Sequence, residues 1–257
     1  MAYLLLNSLA MEVSLYQAAA AMNATARWQD MIAENLAAAP IAGGRKREIS
    51  FSDVQAGLDP NVNGGNMSYF IPNANTVTNF QPGELHATGN SMDFALEGPG
   101  FFTVQLPNGQ MAYTRSGQFQ INSNGQLVTQ AGYLVMGTGG PLKFNPASTD
   151  PITISTTGEV SQGQQQVGTL KLTEFTNPQY LTMIGAGDFM ANRPDANPVA
   201  ATSTKVRQGF LEGANASPTT EMSGLVTAMR MFEANQKVMQ MESDRMSKTI
   251  ADLGSTS

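Results

Sequence analysis

The chain has no cysteine and a single histidine, His86, among its 257 residues. Disulfides, thiolate nucleophiles and cysteine-based zinc sites are therefore excluded. Histidine clusters and Ser-His-Asp or Cys-His arrangements are excluded as well. His86 is expected in a turn or at a strand edge, and no cofactor or metal is expected. Charge is scarce too: Asp, Glu, Lys and Arg make up 13% of the residues, about half the usual share. The polar surface must then be built from Gln, Asn, Ser, Thr and Gly. Such a surface repels copies of itself weakly, which suits a chain that stacks and equally a secreted one. The net charge of −6 argues against a nucleic-acid partner, because phosphate binding needs clustered Lys and Arg. The one basic run, Arg45-Lys46-Arg47, is expected in a solvated loop. No hydrophobic stretch reaches the length of a membrane span. The start, Met1-Ala2-Tyr3-Leu4-Leu5-Leu6, lacks a basic segment and its apolar run stops at Asn7-Ser8, so a cleaved signal is not expected.

The residue types that remain give little chemistry. Asp93, Glu97, Glu159, Glu174 and Asp188 fall in no recognisable catalytic frame, and scattered surface charge is the expectation. Their type alone would allow a glycosidase-like carboxylate pair. Gly137-Thr138-Gly139-Gly140 is followed by no Gly-Lys-Ser/Thr and opens no helix, so it is a turn and not a phosphate loop. Asn23-Ala24-Thr25 and Asn66-Met67-Ser68 match the glycosylation pattern by chance.

With 41% hydrophobic residues the chain can build a core, and its texture changes three times. Residues 2–38 are rich in Ala, Leu, Met and Gln and contain neither Gly nor Pro, which predicts a helix. Its apolar stripe is Met11, Leu15, Ala18, Met22, Ile32 and Leu36, interrupted by Thr25 and Gln29. Pro40 and Gly43-Gly44 end it. Residues 218–253 predict a second helix, with Ser217 as cap, Pro218 in the first position and Glu221 in the first turn. Its heptad is Met222, Leu225, Met229, Phe232, Gln236, Met239, Ser243, Met246, Ile250 and Leu253, broken only at Gln236 and Ser243. Such a seam needs another helix, and the first one is the candidate. Methionine on the seam fits core packing better than metal ligation, and its adaptability suits several non-identical neighbours.

Between the helices, from about residue 85 to 200, short β-type runs alternate with Gly, Asn and Pro turns. Strands are predicted at 101–106, 118–121, 126–129, 133–136, 152–155, 167–175 and 206–211, with hairpins at Pro107-Asn108-Gly109 and Asn124-Gly125. The expectation is an α+β chain, with terminal helices pairing as a coiled-coil-like bundle and a central β-rich, barrel or sandwich-like domain. Its divisions are residues 1–39 (first helix), 40–84 (extended linker), 85–212 (β-rich domain) and 213–257 (second helix).

Two stretches resemble a known family. Ile32-Ala33-Glu34-Asn35-Leu36-Ala37, at the end of the first helix, resembles the Ala-x-Asn-Leu-Ala-Asn motif of bacterial flagellar rod and hook proteins. Asn35, Leu36, Ala37, Gly43 and Arg45 match; Ala38, Ile41 and Gly44 stand where the family has Asn, Thr and Phe. Asp93-Phe94-Ala95-Leu96-Glu97-Gly98-Pro99-Gly100-Phe101-Phe102 resembles the family's Asp-x-Ala-Ile-x-Gly-x-Gly-Phe-Phe signature. Ala112-Tyr113-Thr114-Arg115-Ser116-Gly117-Gln118-Phe119 follows at the family's distance. Residues 135–142 and 209–215 resemble the proximal-rod branch, with the distal-rod branch as the near alternative.

The resemblance implies a structural subunit, not an enzyme, in the periplasmic rod of the flagellar basal body. It implies export through the flagellar type III apparatus and assembly with copies of itself and other rod proteins. Neither a small-molecule substrate nor nucleic acid is a partner on this reading. The expected assembly seam is Leu15, Met22, Ile32, Asn35, Leu36, Met222, Leu225, Met229, Phe232, Met239, Met246 and Ile250. The family signature is Asp93, Gly98, Gly100, Phe101, Phe102, Tyr113, Thr114, Arg115 and Gly117. In it, Gly98 and Gly100 would permit a tight approach and Phe101-Phe102 would seed the β core. The reading from another class is a secreted β-rich binding protein or wall hydrolase on a helical stalk.

Overall fold

The computed structural model describes residues 2–57, 68–185 and 187–254. Helix α1 runs Ala2–Ala38 and helix α2 runs Pro218–Gly254, which matches the composition of both segments. The turn that ends α1 begins with Ala39, whose N–H donates to the Asn35 carbonyl at 2.9 Å. No helix among the described residues is long and apolar enough to cross a membrane. The chain divides into two compact units: Met1–Glu34, Arg47–Val77 and Thr219–Ser257 form one, and Asn35–Lys46 with Thr78–Pro218 form the other.

In the first unit, Ala18, Ala24, Thr25, Met31 and Ile32 of α1 are buried. Thr25, the polar residue expected to interrupt the apolar stripe, occupies a buried position on it. Its hydroxyl donates to the carbonyls of Ala21 and Met22, both at 2.9 Å, so the polar group is satisfied inside the helix. Opposite it on α2, a Cβ placed on Gly224 would meet Ile32 Cδ1 at 3.4 Å. The segment expected as an extended linker instead carries two paired strands, Arg47–Gly57 and Ser68–Thr78. Most of the Asn and Gly residues behind that expectation, at 61–66, lie outside the described residues. Pro72 is tolerated because a two-stranded sheet has only edge strands.

The second unit is built of antiparallel sheets. Its centre is the strand Phe101–Gln105, which pairs with Met111–Thr114, Leu134–Gly137 and Leu172–Phe175 within a ten-stranded sheet. Both predicted hairpins form: Phe101–Gln105 turns at Pro107-Asn108-Gly109, and Phe119–Ile121 turns at Asn124-Gly125 into Leu127–Thr129. Gly137–Gly140 closes the hairpin between Leu134–Gly137 and Gly140–Pro141. Phe101 and Phe102 point to opposite faces, as successive strand residues must. Phe102 joins the main core with Phe94, Leu96, Val104, Phe119, Val135, Val160 and Val206. Phe101 joins a second cluster with Phe175, Leu181, Phe189 and Ala196. The pair therefore seeds two cores. His86 is exposed in the strand Leu85–Ala87, which pairs with Phe210–Glu212.

Candidate functional site at the helix roots

The segment leaving α1 and the segment entering α2 are pinned together inside the second unit. Arg45, Arg115 and Glu212 form a buried cluster, 1%, 3% and 1% exposed. Arg45 Nη2 donates to Glu212 Oε1 at 2.6 Å, and Arg115 Nη1 donates to Oε2 at 3.2 Å. The Gly83 N–H also reaches Oε1, at 2.9 Å. One carboxylate thus joins three stretches of chain far apart in sequence. Arg115 further donates to the Gly98 carbonyl at 2.6 Å and lies over the Phe101 ring, 5.0 Å from its centroid. Burial lowers the Arg115 pKa to about 10, with Glu212 opposing the shift and Arg45 adding to it. Arg115 therefore stays charged at neutral pH. A buried cluster of this kind stabilises little beyond an apolar equivalent, but losing one partner strands charge in a medium of low polarity. The arrangement therefore fixes geometry more than it adds net stability.

The backbone around the cluster explains why the family positions fall where they do. Gly43 has φ +70°, and a Cβ there would lie 2.4 Å from the Arg115 carbonyl carbon. Its N–H donates to the Glu212 carbonyl at 2.7 Å. At Gly117 a Cβ would stand 1.6 Å from the Phe94 carbonyl oxygen, so no side chain fits. Asn215 completes the junction. Its Oδ1 accepts from the Lys46 N–H at 2.7 Å, and its Nδ2 donates to the carbonyls of Asn79 and Gln81, each at 2.9 Å.

Of the other signature residues, the Gly100 N–H donates to Thr204 Oγ1 at 2.8 Å, and Gly98 also lies against Thr204. Thr114 is buried and donates to the Gly187 carbonyl at 3.2 Å. Tyr113 packs edge-on against Phe175 with ring centroids 4.8 Å apart. Asp93 is buried, bridging Gln118 through its backbone. The sequence places Arg45 in a solvated loop, and the structure overturns this: the side chain is buried, where it pairs with the buried Glu212 carboxylate. Glu212 was singled out only as part of a motif. A lone acidic residue between Leu211 and Gly213 in a strand was the one local signal of its burial.

The seam residues divide by exposure. Ile32 and Asn35 are buried, and Met22, Leu36, Leu225, Phe232, Met239 and Met246 are half-buried. The side chains of Leu15 and Ile250 lie outside the described residues. Met222 and Met229 are exposed, as are Gln236 and Ser243. The protected face of α2 is Leu225, Ala228, Phe232, Asn235, Met239, Glu242 and Met246, spaced by alternating threes and fours. Of the heptad positions, Leu225, Phe232, Met239 and Met246 are half-buried in the single subunit, whereas Met222, Met229, Gln236 and Ser243 are exposed.

These features define an α+β structural subunit whose two helix roots are locked by one buried ion cluster. Residues 95–162 match the family described as Flagellar hook protein FlgE/F/G D1 domain. Residues 207–253 match Flagellar basal body rod FlgEFG protein C-terminal. The flagellar basal-body rod protein FlgF of Mesorhizobium japonicum is 31% identical over 96% of this chain and 100% of its own length. FlgF of Caulobacter vibrioides is 31% identical over 95% and 99%. FlgG of Borreliella burgdorferi is 32% identical over 91% and 95%. The chain belongs to the flagellar basal-body rod protein family. It is a structural subunit of the flagellar rod, located in the basal body, and its family assembles with other rod and hook proteins.

Proposed function

We propose that the chain enters the rod through paired terminal helices, with the ion cluster setting where they leave the β-rich unit. The observation that carries this is the face pattern of α2. One stripe is protected, while Met222, Val226 and Met229, and separately Met231, Val238 and Met241, stay exposed. Helical spacing puts these two groups on different flanks of the protected stripe. Apolar side chains on three sides of one helix exceed what a single partner helix can cover. The protected stripe goes to α1 in a coiled-coil-like pair, and the flanks go to neighbouring subunits. The resulting tube lies in the periplasm, around the channel used by the type III export apparatus, through which the subunit itself arrives unfolded and without cleavage. The proximal-rod role is supported by residues 135–142 and 209–215. It is also supported by the way the chain spans almost the whole length of the FlgF relatives.

The test is a double variant, Met222→Ser with Met229→Ser. It should be secreted and fold with unchanged circular dichroism, yet leave cells without completed basal bodies by electron microscopy. Normal basal bodies and motility in cells carrying it as their only copy would overturn the assignment of that flank.

A further inference from the structure

The chain has 16 methionines, and their exposure is uneven. Met222, Met229, Met231 and Met241, all on α2, are 57, 51, 50 and 63% exposed. Met31 and Met136 are buried, and Met239 and Met246 are half-buried on the protected stripe of the same helix. The thioether is the one side-chain group of this cysteine-free chain that mild two-electron oxidants attack readily. We propose that these four methionines form a peroxide-sensitive modification site that governs whether a free subunit can assemble. The proposal rests on the reading of the α2 flanks as contacts between subunits.

The chemistry is self-contained once a peroxide is supplied. A sulfur lone pair attacks one peroxide oxygen, the O–O bond breaks and an S–O bond forms. Sulfur loses two electrons, the peroxide is reduced, and water leaves. An apolar, flexible thioether becomes a polar, chiral sulfoxide. In the free subunit the new oxygen stays in water, so the fold is untouched. Against the apolar surface of a neighbour it loses water without gaining a donor, which opposes docking. Assembly in turn shields the sulfurs, so sensitivity belongs to subunits not yet incorporated.

Purified full-length protein treated with graded hydrogen peroxide, followed by peptide mass spectrometry, gives the site preference. The four residues should oxidise roughly tenfold faster than Met31 and Met136, with circular dichroism unchanged. Met111, exposed in the β-rich unit, serves as a reactive control. Equal rates at exposed and buried methionines would overturn the proposal. In cells, replacing all four by Leu should preserve flagella and remove the delay in new flagellar growth after a peroxide pulse. Met111→Leu should leave that delay in place. Replacing all four by Gln, a polar side chain of similar length, should block assembly without peroxide. If the Gln variant fails but the Leu variant is delayed as much as the parent, the oxidative site is refuted while the contact surface stands. If the Gln variant assembles normally, both fall.

Discussion

The two units of this chain solve opposite problems. The β-rich unit closes on itself: two hydrophobic clusters fill it, and its buried carboxylate, Glu212, is satisfied by Arg45, Arg115 and the Gly83 backbone. The helical unit does not close: Met222, Val226, Met229, Met231, Val238 and Met241 of α2 remain in water. Large exposed apolar surfaces on soluble proteins mark contact sites. On the proposed assembly, one part of the subunit is stable alone and neighbours complete the other.

The largest effect should come from Glu212→Ala, which strands two buried arginines. It should cost about 3–5 kcal/mol, read from urea unfolding followed by circular dichroism. A loss below about 1 kcal/mol would mean that the cluster is not the lock of the β-rich unit. Gly117→Ala comes next, because its methyl must displace the Phe94 backbone. Overpacking of this kind costs about 1–3 kcal/mol and should lower the midpoint of the same transition, whereas Gly109→Ala, in open space at φ +84°, should cost less. On the other side of the comparison, Met222→Ser with Met229→Ser should change monomer stability by less than about 0.5 kcal/mol, as exposed substitutions do, while removing assembly. A large stability loss would show that these side chains already pack within the subunit.

Hydrogen exchange sharpens the contrast without mutation. In the free subunit, amides of 218–248 should exchange faster than those of 94–105, because few buried contacts hold α2. Equal protection would mean that the helical unit is already complete before assembly. The smallest effect concerns Asp188, whose pKa burial raises, with a Thr114 hydrogen bond opposing. The folded state therefore binds this proton more tightly than the unfolded chain. The ionised form costs stability above the raised pKa, and that cost disappears as pH falls toward the usual carboxylate range. Asp188→Asn should flatten this segment of the stability–pH curve. An unchanged curve would deny the coupling.

Much of the architecture was legible because it rests on local rules. Both helices follow from residue propensity and the placement of Pro40, Gly43 and Pro218, and the two hairpins follow from Asn-Gly turns between alternating strands. The strands at 47–57 and 68–78 were not legible, since their apolar residues lack a clean period of two. Which positions of α2 are protected within the single subunit was not legible either. Methionine counts as apolar in any periodicity, whereas Ala228, Asn235 and Glu242, small or polar, were not counted though they occupy the protected face.

The sequence by itself determined the family, the helix limits, the hairpin turns and the absence of thiol and histidine-cluster chemistry, because each depends on residue type and near spacing. Only the tertiary structure decided that Arg45 is buried, that Glu212 is its partner, and which face of α2 is left in water. Those facts depend on residues more than a hundred positions apart meeting in space, and burial of a charge is set by the partner that meets it, not by its neighbours along the chain.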